Sequence, residues 1–250
     1  MTLAHYKTAL VTGAASGIGL AIVKRLCATG IQVFAADRDE LALKAVADEF
    51  GAKPIVVDLT DQKKLYKEFT GLQVDILVNN AGIGRGVGGL LTADPEDIEI
   101  SSRLNVESHL HVLRSIVPGM AERRKGHVIM MGSMAGLYPI PSSIYGSHKG
   151  ATHMMSQDLR HELVGTRVRV TELCPGRTRT QFGKAAFDDH KDAEGFMSGF
   201  TLLEADDIAD AAMYALDAPW RVNVGLIEIS PTEQIFGGVK IFPVDDALSD

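Results

Sequence analysis

Tyr145-Gly146-Ser147-His148-Lys149 opens a stretch with helical patterning. Four residues make about one helical turn, so the phenol and the ammonium project from one face. A phenol ordinarily titrates near 10 and needs help to exchange a proton near neutrality, which an adjacent ammonium provides by favouring phenolate. A tyrosine and a lysine four apart are common in helices, so the pair gains weight only from its company. Thr12-Gly13-Ala14-Ala15-Ser16-Gly17-Ile18-Gly19 lies between a short apolar run and a helical stretch. Glycines there permit a tight turn and let the backbone approach a pyrophosphate, whose charge meets exposed N–H groups and a helix dipole. The spacing Gly-x-x-x-Gly-x-Gly is more specific than a lone glycine-rich turn.

Ala35-Ala36-Asp37-Arg38 ends the second apolar run, about 20 residues beyond that turn. A carboxylate there accepts hydrogen bonds from adenosine ribose hydroxyls and repels a 2′-phosphate, which favours NAD over NADP. Arg38 is the contrary sign, since a guanidinium can hold a 2′-phosphate; its alternative is a solvated or adenine-stacking side chain. Asp58-Leu59 and Asn79-Asn80-Ala81-Gly82 follow the third and fourth runs, where an extended dinucleotide would lie. Singly these are ordinary turn residues; in register with the glycine turn they read as binding.

The elements that must position these groups alternate along the chain. Thr8–Val11, Gln32–Ala36, Pro54–Val57, Ile76–Val78, His127–Met131, Arg169–Leu173 and Leu226–Ile229 are short, mostly aliphatic strand candidates. Between them lie helix candidates at Gly17–Thr29, Glu40–Phe50, Gln62–Thr70, Glu96–Met120, Ile144–Leu163 and Ala205–Ala215. The alternation predicts an α/β Rossmann fold, a doubly wound parallel sheet of about seven strands with helices on both faces. No linker-like stretch divides residues 1–250, which read as one domain, with a substrate lid expected at 182–203 after a strand's carboxyl end. An ordinary surface excursion is the alternative for that stretch.

The 250 residues carry 46% hydrophobic and 23% charged side chains, as in an ordinary soluble globular domain. A net charge of −7 argues against nucleic acid or anionic membrane as main partner. Cys27 and Cys174 stand apart from any metal or redox spacing and read as packed thiols in a reducing compartment, so no metal is expected. Neither a leader pattern nor a run of about 18 apolar residues is evident, and a cytoplasmic enzyme is expected.

The glycine turn, Asn79-Asn80-Ala81-Gly82, Asn105, Ser133, Tyr145-x-x-x-Lys149 and Pro175-Gly176 occur in the order and approximate spacing of the short-chain dehydrogenase/reductase family, which the chain resembles over essentially its whole length. The resemblance implies a hydride-transferring oxidoreductase with Tyr145 as general acid/base and Ser133 bonding the substrate oxygen. It implies that Lys149 binds the nicotinamide ribose and lowers the Tyr145 pKa, while Asn105 holds a water linking Lys149 to solvent. It points to Thr180 and Thr178 for the nicotinamide carboxamide, and to a homo-oligomer, dimer or tetramer, built on Glu96–Met120 and Ile144–Leu163. The segment Phe236–Pro243 is a candidate for reaching a neighbouring subunit, or for core packing in its own chain. Two departures stand out: the Ser133–Tyr145 interval is one residue short, and His148 replaces a small or hydroxylic residue. His148 reads as a packed helix side chain.

Thr166–Thr171 and the closing run from Leu226 to Gln234 resemble the branch acting on 3-hydroxy acids and serine, which is similar to the sulfoacetaldehyde reductases; many of its members prefer NADP. Arg177 and Arg179, bracketing Thr178 after Pro175-Gly176, are two apart and so expected to share a face. In a substrate pocket they would read a carboxylate or sulfonate. Their alternative is the cofactor diphosphate, or ion pairs with Asp188, Asp189 and Asp192. An uncharged alcohol, ketone or polyol is the other substrate class, for which Leu137, Ile140 and Ile144 would supply an apolar wall. A non-catalytic NAD-sensing protein on this fold would be expected to lose Tyr145, Lys149 or Ser133, and an epimerase retaining its NAD would be expected to be longer.

Overall fold

The computed structural model describes residues 3–182 and 198–235. Nine strands and eight α-helices run through them: β1 (Thr8–Thr12), α1 (Gly17–Ala28), β2 (Gln32–Asp37), α2 (Glu40–Phe50), β3 (Lys53–Val56), α3 (Gln62–Phe69) and β4 (Ile76–Asn79) form the first half. The second half has α4 (Pro95–Ser102), α5 (Ser108–Arg123), β5 (Gly126–Met131), α6 (Met134–Leu137), α7 (Ser143–Glu162) and β6 (Val168–Pro175), then β7 (Thr178–Arg179), β8 (Leu203–Glu204), α8 (Ala205–Asp217) and β9 (Leu226–Ile229). Seven strands make one parallel sheet in the order β3-β2-β1-β4-β5-β6-β9. The direction of winding reverses between β1 and β4, which opens a crevice at the strands' carboxyl ends.

Side chains alternate across each strand and so feed two cores. Ala9 and Val11 of β1 face one core with Ile22 and Leu26 of α1 and Ile208 and Ala212 of α8. Leu10 faces the other, with Leu65 of α3, Ile116 of α5 and Leu159 of α7. Every residue of β4 and β5 is buried, which accounts for their mostly apolar character. No helix of the described residues is long and apolar enough to cross a membrane.

The structure departs from the expected elements in three places. The helix expected at Glu96–Met120 is two helices, α4 and α5, joined by a wide π turn at Arg103–Glu107. Asn105 sits in that turn, and its side chain bonds both backbone groups of Ile83, at 2.8 and 2.9 Å. Helix interruptions of this kind concentrate where a side chain is being aimed. The short helix α6 was not expected; Ser133 caps it, accepting from the Ala135 N–H at 3.1 Å. Nor was the parallel pair β7–β8, which ties together the two ends of the stretch expected as a lid. Residues 183–197 of that stretch, including Asp188, Asp189 and Asp192, and Phe236–Pro243 lie outside the described residues.

One hydroxyl joins the glycine turn to the sheet. Thr12 Oγ1 accepts from the N–H groups of Asn80 (2.9 Å) and Ala81 (3.1 Å) and donates to the Val78 carbonyl at 3.3 Å. The Asn80 amide returns two bonds, to the carbonyls of Thr12 and Gly13. Thr12→Val keeps the shape but leaves two backbone donors without an acceptor, so it should cost about 2–4 kcal/mol. Urea unfolding should show a lower midpoint at unchanged slope; an unchanged midpoint would contradict the assigned junction.

Candidate active site

A cavity of about 800 Å³ runs along the crevice at the carboxyl ends of the strands. Its size is that of a site for a sizeable small molecule. Gly13, Ser16, Gly17 and Ile18 line its first end, and Asn80, Ala81 and Gly82 its middle. Gly13 has φ +65°, and a Cβ there would stand 2.9 Å from Asn80 Nδ2. Gly19 does not line the cavity; a Cβ on it would overlap the Gly13 carbonyl, so its role is to let α1 close onto the turn. These are the steric conditions for bringing backbone N–H groups against a diphosphate, and they fit a dinucleotide.

Asp37, Arg38, Asp58 and Leu59 also border this end. The Asp37 carboxylate is fixed at the edge of β2, accepting from the N–H groups of Ala15 (3.2 Å) and Asp39 (3.1 Å). Asp58 is partly buried, which raises its pKa, but hydrogen bonds from Thr60 and the positive charges of Arg38 and Arg103 outweigh burial and hold it low. Arg38 is exposed. This end of the cavity therefore carries two carboxylates, with Arg38 on its border and the charge of Arg103 reaching Asp58.

Ser133, Tyr145 and Lys149 converge at the far end, from β5's exit and the first turns of α7. Burial pushes the Tyr145 phenol up to about 12, and a hydrogen bond with Ser133 partly offsets it. The ring lies 5.3 Å, centroid to centroid, from Phe182. Lys149 donates to the Met131 carbonyl at 2.8 Å. Burial draws its pKa down to about 8, against the opposing influence of Cys174 and Glu172. At the phenol the two opposing influences are burial and the Ser133 hydrogen bond. Asn105 is 1% exposed and stands behind the cavity wall, both ends of its amide committed to Ile83, which itself lines the cavity.

Pro175, Gly176, Thr178 and Thr180 line the same end. The two arginines expected to act together are separated. Arg177 borders the cavity with its guanidinium 5.4 Å from the Phe200 ring centroid, and burial lowers its pKa. Arg179 is turned away at the surface, paired with Glu204 at 2.8 Å. The β7–β8 pairing separates them: Arg177 gives its carbonyl to Leu203, while Arg179 sits one register step beyond. His148 is buried with Nε2 3.0 Å from Ser102 Oγ, and burial followed by the Lys149 charge lowers its pKa. Of the proposed apolar wall, Ile140 lines the cavity, whereas Leu137 and Ile144 do not. Tyr138, Phe182 and Gln234 border it without having been singled out. The Tyr138 hydroxyl is held by Glu228 at 2.9 Å, and Gln234 Oε1 by the Arg177 N–H at 3.0 Å. Both anchors join chain segments far apart, which no local pattern announces.

Residues 7–191 match the family model described as short chain dehydrogenase. A short-chain type dehydrogenase/reductase of Sinorhizobium fredii, y4eK, is 37% identical over 95% of this chain and 96% of its own length. The NADP-dependent 3-hydroxy acid dehydrogenase YdfG of Escherichia coli is 33% identical over 93% and 98%. A solved structure of serine dehydrogenase with NADP⁺ superposes with a TM-score of 0.87 at 31% identity, covering 95% of this chain and all of that one. A sheet of this order with a cavity of this lining defines a nucleotide-dependent oxidoreductase. The chain belongs to the short-chain dehydrogenase/reductase family.

Lys149 gives this end of the site a cost in stability. Its pKa falls from 10.5 to about 8 on folding, so the folded state disfavours the ammonium. The penalty is in force below pH 8 and is relieved as pH rises through 10.5. Lys149→Met should therefore raise stability near neutrality by up to about 3 kcal/mol, less what the Met131 carbonyl loses. The difference between the two proteins should close between pH 8 and 10.5 in urea unfolding; a pH-independent difference would refute the assigned burial cost.

Proposed function

We propose that the protein interconverts a small alcohol and its carbonyl using NAD, on a substrate that carries a carboxylate or sulfonate. The observation that carries the anionic part is Arg177, a partly buried guanidinium on the wall of the same cavity as Ser133 and Tyr145. A guanidinium in such surroundings favours a planar or tetrahedral oxyanion, which it meets with two parallel N–H bonds. The activities for which two relatives are named, on 3-hydroxy acids and on serine, support the same class. Arg179, paired with Glu204, has no part in it.

The residues divide the work by their chemistry. Ser133 and Tyr145 present two hydroxyls to one point, where a substrate oxygen is bonded and oriented. Tyr145 stays protonated well above neutrality, so in reduction it holds a proton ready for the developing alkoxide. In oxidation it takes that proton back, and turnover in that direction should climb with pH. Lys149 sits one helical turn further on, placing an ammonium on the ribose side, while Asn105 acts through Ile83 to hold the opposite wall. The glycine turn, Asn80–Gly82, Thr178 and Thr180 would hold the dinucleotide along the crevice. When bound, its nicotinamide ring supplies the hydride acceptor or donor and, oxidised, a positive charge beside the phenol. Phe182 and Ile140 cover the reacting end with apolar surface that excludes water.

The preference for NAD rests on charge. A 2′-phosphate would bring about two negative charges up to the Asp37 carboxylate, which the Ala15 and Asp39 N–H groups hold at the end of β2. The E. coli relative and serine dehydrogenase are both named with NADP, and that carboxylate is the ground for departing from them here.

The test is reduced-cofactor formation at about pH 9, where an alcohol-oxidising tyrosine is favoured, with NAD and NADP in parallel. Substrates are 3-hydroxy acids and hydroxysulfonates paired with uncharged alcohols of matching size. The charged members should react with NAD, and Arg177→Ala should raise their KM about tenfold or more while sparing the neutral ones. Equal rates for charged and neutral members would overturn the anion site in favour of an uncharged alcohol. Faster turnover with NADP would overturn the assignment of Asp37.

A further inference from the structure

Behind Lys149 lies a carboxylate that the proposed reaction leaves unused. Glu172 is fully buried in the middle of β6. Its Oε2 is 2.7 Å from His153 Nδ1 on α7, one turn beyond Lys149, and the imidazole reaches the surface with 26% of its side chain exposed. Its Oε1 has no hydrogen-bond partner among the described residues. That oxygen is pressed against Gly132, where a Cβ would overlap it and would stand 3.0 Å from Cys174 Sγ. Gly132 is the link between Met131, whose carbonyl receives the Lys149 ammonium, and Ser133. The missing side chain at 132 is therefore the room in which the carboxylate sits, directly beneath the segment that holds both groups.

A lone buried carboxylate is expensive, and one bond from a half-exposed imidazole answers only half of it. The rest must come from charge, and the groups around it leave one candidate. From α5, His109 faces Lys149 and is held neutral at ordinary pH, its pKa drawn down to about 4 by burial and then by Lys149. From α7, His148 is likewise lowered. From β6, the Cys174 thiol is pushed upward by burial and then by Glu172, so it stays uncharged. Glu228 on β9, beside Cys174 in register, is committed to Tyr138. Apart from the His153 imidazole that bonds it, Lys149 is the cation among the described residues whose charge Glu172 reaches.

We propose that Glu172, clamped by His153 and admitted by the bare Cα of Gly132, is the counter-charge that keeps Lys149 an ammonium in its buried place. Glu172 is a positioning residue: it touches neither substrate nor cofactor and acts through Lys149. The inference concerns the site read above, and takes its functional weight from that reading. Without the carboxylate, burial of Lys149 meets less opposition, and the amine loses its proton at lower pH. The site then forfeits its ammonium in the range where alcohol oxidation gains from rising pH.

The direct test follows Lys149 itself, by NMR of protein labelled with carbon-13 at lysine Cε, its resonance assigned by its absence from Lys149→Met. In Glu172→Gln the titration midpoint should fall by about one pH unit or more, a tenfold rise in the acid dissociation constant. Glu172→Asp, which keeps the charge, should lie closer to the parent. Glu172→Met is the second neutral variant should the amide fail to fold, since apolar replacement of a buried charge is usually tolerated. A midpoint unmoved in a folded neutral variant overturns the proposal. A lowered midpoint with an unchanged pH profile of turnover would uphold the counter-charge and overturn the role given to Lys149 in the reaction.

Discussion

The bond from the Lys149 ammonium to the Met131 carbonyl holds the reacting end of this protein together. It joins the second turn of α7 to the last residue of β5, and both Tyr145 and Ser133 take their positions from it. A buried ammonium is an unfavourable thing to fold, and the sheet meets that cost with a carbonyl at the strand end and negative potential from β6. The tyrosine one turn earlier is thereby placed in surroundings dry enough to raise its pKa to about 12. The surroundings that keep the phenol protonated also disfavour the lysine's charge, so the two groups answer burial in opposite directions.

The opposite end of the cavity follows another logic. There side chains shape the backbone that borders the cavity: Thr12 ties the glycine turn to β4, and Asp37 is locked onto that turn through Ala15. Fixed carboxylates at Asp37 and Asp58 give this rim a negative bias, while Arg177 supplies positive potential near the reacting end. An extended dinucleotide with an anionic substrate at its far end matches that division of charge.

Much of this was legible in the residues. Seven short aliphatic runs gave the seven parallel strands because strands covered on both faces carry no polar alternation to blur them. Asp37 and the glycine turn stood out because local backbone chemistry restricts what can occupy those positions. What stayed hidden depends on contacts distant in sequence. The π turn at Arg103–Glu107 is set by Asn105 reaching Ile83, so helical periodicity ran across it unbroken. Arg177 and Arg179 looked like a pair on one face, yet the pairing of β7 with β8 turns one inward and the other toward Glu204. Glu172 carried no signal of its own within a strand candidate; its meaning needs His153 and Gly132 beside it.

The claim that matters most is that Tyr145 moves the proton in a cavity that otherwise only binds. Tyr145→Phe removes one oxygen from that cavity and leaves the glycine turn, Asp37 and Lys149 in place. The measurement is turnover together with NADH affinity, the latter by fluorescence titration. The account predicts turnover reduced by a factor of about a thousand or more with the dissociation constant for NADH changed less than about threefold. Substantial residual turnover would contradict the proton-transfer role, and affinity lost in parallel would place Tyr145 in binding instead.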